Sequence, residues 1–157
     1  MVETSEIADA YAESTDLFDR LASAVPRELL DARGEGGWSA RQVIHHVADS
    51  EAQSYARLRR LLAEPSGSVI QGYDEAAWAQ CPTLGYEQLP VENSLLVFRA
   101  VRASSLDIIR RLTDDDLDRT GQHSESGAYS VRTWLDNYIA HPADHAAQLQ
   151  RAIEGLA

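Results

Sequence analysis

The chain has 157 residues, 44% of them hydrophobic and 25% charged, a length that suits one folded domain, residues 1–157, with one sizeable core. Its 25 acidic residues outnumber 14 basic ones, and the resulting net charge of −11 argues against binding to the phosphates of nucleic acids. No apolar run approaches the roughly 20 residues that a bilayer requires, and the N-terminus does not read as a secretory signal. We therefore expect a cytoplasmic protein without a membrane partner.

The first predicted helix runs from about Ser5 to Val25. Its apolar residues recur at the i, i+4 and i+7 spacings of one helix face, namely Ile7, Tyr11, Phe18, Leu21 and Val25. Pro26 then marks either the exit from this helix or a kink in it.

The second predicted helix opens after Trp38. Ser39 can cap it and Gln42 can return the hydrogen bond, which together make a capping box. Pro65 ends the helix. The apolar stripe consists of Val43, Val47, Tyr55, Leu58 and Leu62. The densest basic cluster of the chain, Arg57, Arg59 and Arg60, is expected to be a solvated face of this helix.

The third predicted helix begins near Pro90 and ends at the acidic stretch 113–118, and the fourth starts after Ser130. The third carries Leu95, Phe98, Val101, Ile108, Ile109 and Leu112 toward a core. The fourth carries Val131, Trp134, Leu135, Tyr138, Leu149 and Ile153. Four amphipathic helices of similar length predict an all-α four-helix bundle.

Two connections stand out. The segment from Ser66 to Tyr86, between helices two and three, is longer than a bundle connection usually is. Within it Asp74 could cap a short helix that folds the segment over one end of the bundle. Tyr73, Asp74 and Trp78 are our candidates for contact with a substrate, although they could equally form a small cluster that packs the loop. The connection 119–129 predicts an irregular turn or a short hairpin.

The most informative residues are histidines. His141 and His145 lie four apart on the fourth helix, so their side chains project from one face. That face continues the apolar stripe from Tyr138 to Leu149, which predicts that the pair points into the bundle. An unsatisfied buried polar group costs about 1 to 3 kcal/mol. A shared metal ion would satisfy both rings, and hydrogen bonds within the core are the alternative.

A third ligand is available on the second helix. His45 and His46 differ by roughly 100° around the helix axis, so only one of them can point inward. His46 lies nearer the side of Val43 and Val47 and is the predicted ligand, whereas His45 is expected to face solvent or to form hydrogen bonds. Because Cys81 is the lone cysteine, any metal site must rest on histidines and carboxylates.

Three histidines with an open fourth position are the ligand set of catalytic zinc sites. Nickel and other divalent ions also bind imidazole, and the sequence does not choose among them. Asp49, three residues after His46, and Asp144, directly before His145, are the candidates for orienting an imidazole or accepting a proton. Both could instead be solvated carboxylates, and Glu51 is a weaker candidate.

The residues with the clearest family signature are Gly-Gly-Trp-Ser at 36–39, Arg-Gln-Val-Ile-His-His-Val-Ala-Asp-Ser at 41–50, Tyr-Asp-Glu at 73–75 with Trp78, and the stretch 138–145. With them the chain resembles the DinB/YfiT-like superfamily of metal-binding four-helix bundles. The resemblance implies that His46, His141 and His145 are the metal ligands and that the protein is a homodimer.

Three functions follow as expectations. The resemblance to the YfiT-like branch implies a metal-dependent hydrolase of a small molecule. Relatives elsewhere in the superfamily imply a metal-dependent transferase of a low-molecular-weight thiol, which fits the absence of a convincing Ser–His–Asp or Cys–His arrangement in the sequence. The third expectation is a non-catalytic metal-binding module of a stress response.

Overall fold

The elements of the fold are given by a computed structural model that describes residues 2–157 and the side chains from residue 4 onward. In chain order they are α1 (Val2–Ser23), α2 (Ala40–Ala63), β1 (Val69–Ile70), α3 (Glu75–Gln80), α4 (Glu92–Ile109), α5 (Asp114–Leu117), β2 (Thr120–His123), β3 (Gly127–Ser130) and α6 (Val131–Ile153). The four long helices correspond to the four that the apolar spacing predicts.

The long helices form a bundle in which α1 and α2 occupy opposite corners. Each of these two packs against both α4 and α6. The predicted four-helix bundle is therefore confirmed. Within the described part of the chain, no helix is both long and apolar enough to cross a membrane.

The helix ends follow the capping residues that the sequence offers. The Ser39 hydroxyl accepts a hydrogen bond from the Gln42 amide, and the Gln42 side chain accepts one from the Ser39 amide, so the predicted capping box is present. The Ser130 hydroxyl accepts a hydrogen bond from the Thr133 amide and caps α6, and α6 continues through Pro142. Since α1 already ends at Ser23, Pro26 follows the exit from that helix and does not kink it.

The long segment between α2 and α4 contains the predicted short helix, α3, and also a strand, β1, that the sequence did not predict. The Asp74 carboxylate accepts a hydrogen bond of 2.9 Å from the Ala77 amide and caps α3. The 119–129 connection is a hairpin, because β2 pairs antiparallel with β3. The strand β1 pairs parallel with β2, Val69 opposite Gln122, and completes a three-stranded sheet. A two-residue strand whose partner lies far along the chain leaves no periodic signal in the sequence.

A polar layer crosses the bundle between two apolar clusters. One cluster contains Tyr11, Leu58, Ile109, Trp134 and Tyr138, and the other contains Phe18, Val47, Phe98, Ala146 and Leu149. Between them Arg102 on α4 pairs with Glu51 on α2 at 3.2 Å, and both side chains are fully buried. The layer matters for function because the predicted metal ligands lie beside it.

Candidate metal centre

Packing of α2 against α6 brings three histidines together. His46 and His145 approach with their Nε2 atoms 3.1 Å apart. One ring nitrogen from each of His46, His141 and His145 lies within 4.8 Å of the others. The rings of His141 and His145 are 4.4 Å apart between centroids, as expected for two residues one helical turn apart. The three side chains thus converge from two distant parts of the chain.

Their hydrogen bonding leaves several ring nitrogens unsatisfied. Within the described residues, His46 Nδ1 and both nitrogens of His141 are buried and have no hydrogen-bond partner. His145 Nδ1 lies 2.7 Å from Gln148 Oε1 and must donate to that acceptor, so the lone pair of His145 is on Nε2. Buried unpaired nitrogens are costly, whereas a cation placed among them would accept their lone pairs. The donor set therefore fits a divalent metal ion.

The environment also keeps the rings of His46 and His145 uncharged. Burial, followed by charge repulsion from His145 and His141, lowers the pKa of His46 to about 3. Burial, followed by repulsion from His141, lowers the pKa of His145 to about 4. Metal ions bind the neutral imidazole, so at neutral pH protons do not compete for these two rings.

Glu51 is the carboxylate nearest to the histidine cluster in the polar layer. Its Oε1 lies 3.9 Å from His141 Nδ1, and its side chain is 0% exposed. Arg102 balances its charge. Four further hydrogen bonds hold the guanidinium: Nε donates to Thr15 Oγ1, Nη1 donates to the Tyr138 carbonyl oxygen, and Nη2 donates to the Tyr11 carbonyl oxygen and to Ser14 Oγ. A carboxylate in this place can orient His141.

The sequence favoured Asp49 and Asp144 over Glu51 as groups that orient an imidazole or accept a proton. In the structure the three carboxylates lie in different surroundings. Asp49 accepts a hydrogen bond from the Tyr86 hydroxyl. Asp144 is exposed beside His145. The chain holds His145 through Gln148, three residues further along the same helix, a spacing that was visible in the sequence.

His45 forms hydrogen bonds, one of the two alternatives that the sequence left open. Its side chain does not face solvent, because the residue is only 5% exposed. Nδ1 lies 2.7 Å from Ser94 Oγ and Nε2 lies 3.0 Å from the Leu89 carbonyl oxygen. The segment before α4 covers this face of α2, and His45 fixes that segment to the helix.

A cavity of about 280 Å³ opens beside His141. It lies between α2, the loop after β1, the hairpin of β2 and β3, and α6. Its lining includes Arg57, Tyr73, His123, Tyr138 and His141, together with the carboxylates Glu75 and Glu125. The cavity is polar, and His141 is the member of the histidine cluster that lines it.

Of the three residues predicted to contact a substrate, Tyr73 lines this cavity, whereas Asp74 and Trp78 do not. Tyr73 lines the cavity, and its buried hydroxyl has no hydrogen-bond partner among the described residues. Trp78 packs against Tyr73 with 4.5 Å between ring centroids. Asp74 is exposed and caps α3. Arg57, which we expected on a solvated face, lines the cavity as well.

Comparison with known proteins agrees with this architecture. Residues 10–149 match the family model of the DinB superfamily. A protein of Oceanobacillus iheyensis with the name "Putative metal-dependent hydrolase" is 39% identical over 114 residues, which cover 73% of this chain and 64% of that protein, just under two thirds of its length. A protein of the same name from Bacillus mycoides is 32% identical over 158 residues, covering 98% of this chain and 89% of the relative.

Two solved structures share the fold. YfiT from Bacillus subtilis, described as "a probable metal-dependent hydrolase with an unusual four-helix bundle topology", superposes with a TM-score of 0.84 at 25% identity, covering 98% of this chain and 89% of YfiT. TT2238, a four-helix bundle protein, superposes with a TM-score of 0.64 at 23% identity, covering 94% of this chain and 98% of TT2238. The second likeness concerns the fold alone.

Proposed function

The chain belongs to the DinB superfamily, and from this premise we propose that it is a metal-dependent hydrolase of a small molecule. In this proposal His46, His141 and His145 hold one divalent ion, zinc or nickel. The observation that carries it is the convergence of three ring nitrogens within 4.8 Å at the edge of a polar cavity. The names of the relatives from Oceanobacillus iheyensis and Bacillus mycoides support the same reaction class.

An ion held by these three histidines would supply Lewis-acid chemistry that lowers the pKa of water toward about 7. His141 belongs to both the histidine cluster and the cavity wall, so a substrate in the cavity lies beside the centre. In hydrolysis of an ester or amide, the hydroxyl of water adds to the carbonyl carbon. The bond to the leaving group breaks, and the leaving group takes the proton.

Asp49 and Asp144 are the proposed groups for proton transfer. Burial is the main cause that raises the pKa of the Tyr73 hydroxyl to about 12, and the nearby charges of Glu75 and Asp49 contribute to this value. Neither Asp49 nor Asp144 lines the cavity, but Asp49 is half-buried whereas Asp144 is exposed. These facts favour Asp49, and we expect Asp49→Asn to slow turnover more than Asp144→Asn does.

Transfer of a small thiol is the second candidate function. None of the described residues that line the cavity is a cysteine, and Cys81 lies at the end of α3. A thiol that attacks a substrate in this cavity would therefore come from outside the chain, as a low-molecular-weight thiol. With a thiol, a sulfur–carbon bond forms as the bond to the leaving group breaks.

The deciding experiment measures metal content and turnover together. Chelator-treated protein is reloaded with zinc or nickel and assayed on small esters and amides, with and without added thiol, beside a His46→Ala variant. Hydrolysis that needs metal but no thiol supports the proposal, and strict dependence on thiol supports the transferase. Stoichiometric metal without turnover on any substrate supports a non-catalytic binding module. A metal content far below one ion per chain, unchanged in His46→Ala, would remove all three.

A further inference from the structure

Arg57 is held in place by neutral partners only. Its Nη1 donates to the Tyr138 hydroxyl at 3.0 Å, and its Nη2 donates to the Gln71 carbonyl oxygen at 2.8 Å. Nε is buried and has no hydrogen-bond partner among the described residues. A guanidinium carries five N–H donors, so donors of Arg57 remain for a bound ligand. The position of the side chain is fixed while its charge is not neutralised.

Among the described residues, Arg57 lacks a carboxylate partner, as other arginines of the chain do, but it also lies half-buried in the wall of the cavity beside His141. Acidic residues outnumber basic ones by 25 to 14. Six arginines pair with carboxylates, namely Arg33, Arg41, Arg60, Arg99, Arg102 and Arg132. No ion pair joins Arg57 to a carboxylate in the described part of the chain, although Arg57 is half-buried. A partly desolvated cation of this kind binds an anion more strongly than an exposed one does.

The charge of Arg57 faces the cavity that also contains His141 and the unsatisfied Tyr73 hydroxyl. The volume of about 280 Å³ lies below the range of about 300 to 1,000 Å³ typical of drug-sized ligands, so it suits a small metabolite. We propose that this cavity selects substrates that carry a carboxylate group, which pairs with Arg57 while the rest of the molecule extends toward His141. The identification of this ligand as the substrate rests on the proposed hydrolase function.

The other charges of the cavity favour a single negative charge on the ligand. Glu75 and Glu125 contribute exposed carboxylates to its lining. They repel a doubly charged phosphate more than a carboxylate, because the repulsion grows with the charge of the ligand. Arg57 supplies one positive charge, which a carboxylate neutralises. A fork of N–H donors also matches the two oxygens of a carboxylate.

The test uses three probes with the same ring: benzoate, benzamide and phenyl phosphate. Their affinities for chelator-treated protein are measured by ligand-observed NMR at pH 8. We expect benzoate to bind at least tenfold more tightly than either of the others. Arg57→Gln should abolish this preference. Arg59→Gln is the matched control, because Arg59 lies on the same helix but contacts Tyr55 and Ser104 outside the cavity.

A measurement on the unaltered protein guards against misfolding of Arg57→Gln. Phenylglyoxal modifies arginine side chains, and mass spectrometry follows each site. Benzoate should slow the modification of Arg57 at least threefold and leave that of Arg59 unchanged. Equal protection of both, equal affinity for benzoate and benzamide, or tighter binding of phenyl phosphate would each overturn the inference.

Because these measurements need no metal, they separate the two proposals. If the wild-type protein shows metal-dependent turnover but no preference for benzoate, the carboxylate inference alone would be overturned. A benzoate preference that depends on Arg57, in a protein that binds no metal, would overturn the hydrolase proposal and leave anion recognition in place.

Discussion

The Nε2 atoms of His46 and His145 lie 3.1 Å apart, although the two residues are 99 positions apart in the chain. Two nitrogens bound to one tetrahedral zinc ion at about 2.0 to 2.1 Å would be roughly 3.3 Å apart. The packing of α2 on α6 thus sets a spacing that a metal ion could use with little movement.

Replacing His46 should abolish metal binding. In His46→Ala, two ligands on α6 remain, and we expect zinc affinity to fall by more than about 100-fold, beyond what the loss of an outer contact costs. Competition with a chromophoric chelator measures the change. His45→Ala is the matched control: it should lose about 1 to 3 kcal/mol of stability through its hydrogen bonds to Ser94 and Leu89 but retain the metal. Equal metal affinity in wild type and His46→Ala would contradict the prediction.

The metal-free protein should become less stable as the pH falls from about 6.5 toward 4. The folded-state pKa values of His46 and His145 are about 3 and about 4, whereas an unfolded histidine has a pKa of about 6.5. Below pH 6.5 the unfolded chain therefore takes up protons that the folded protein does not. We expect a loss of about 1 kcal/mol or more for each of these histidines between pH 6.5 and 5.

Urea unfolding of chelator-treated protein at several pH values measures this loss. Because carboxylates also titrate toward pH 4, the comparison is with His46→Ala, whose stability should fall less over the same range. A variant with the same pH dependence as wild type would show that His46 does not resist protonation in the folded state.

Glu51→Gln should weaken both the fold and the metal site. Removing one partner of the buried pair leaves Arg102 uncompensated, at a cost of about 3 to 5 kcal/mol. Loss of the carboxylate near His141 should lower metal affinity by about 10- to 100-fold. The double variant Glu51→Gln/Arg102→Met tests the two effects separately. It should regain part of the stability without regaining metal affinity, and recovery of both would mean that Glu51 acts only through stability.

Gln148→Ala should release His145 from its fixed orientation. The Nδ1 atom loses its acceptor at 2.7 Å, so the ring can change tautomer and rotate, and metal affinity should fall about 10-fold. Gln150→Ala, two residues further along α6, removes an exposed contact with Glu154 and serves as the control. Isothermal titration with zinc distinguishes them, and equal affinity of the two variants would argue against a positioning role for Gln148.

Local features of the sequence predicted the bundle and much of the site. Helical periodicity, the Ser39 capping box and the four-residue spacing of His141 and His145 are determined by residues close together in the chain. The choice of His46 over His45 followed from the angle between adjacent side chains around a helix. The structure then brings His46 to the pair on α6.

Only the tertiary structure showed the remaining groups of the site. Glu51 has its place because Arg102 on another helix neutralises its charge, and Arg57 lines a cavity because β1 and the hairpin close over α2. Periodicity tells which face of a helix is apolar. It does not tell which neighbour covers a polar residue, since burial and counter-charge depend on contacts between segments that lie far apart in the chain.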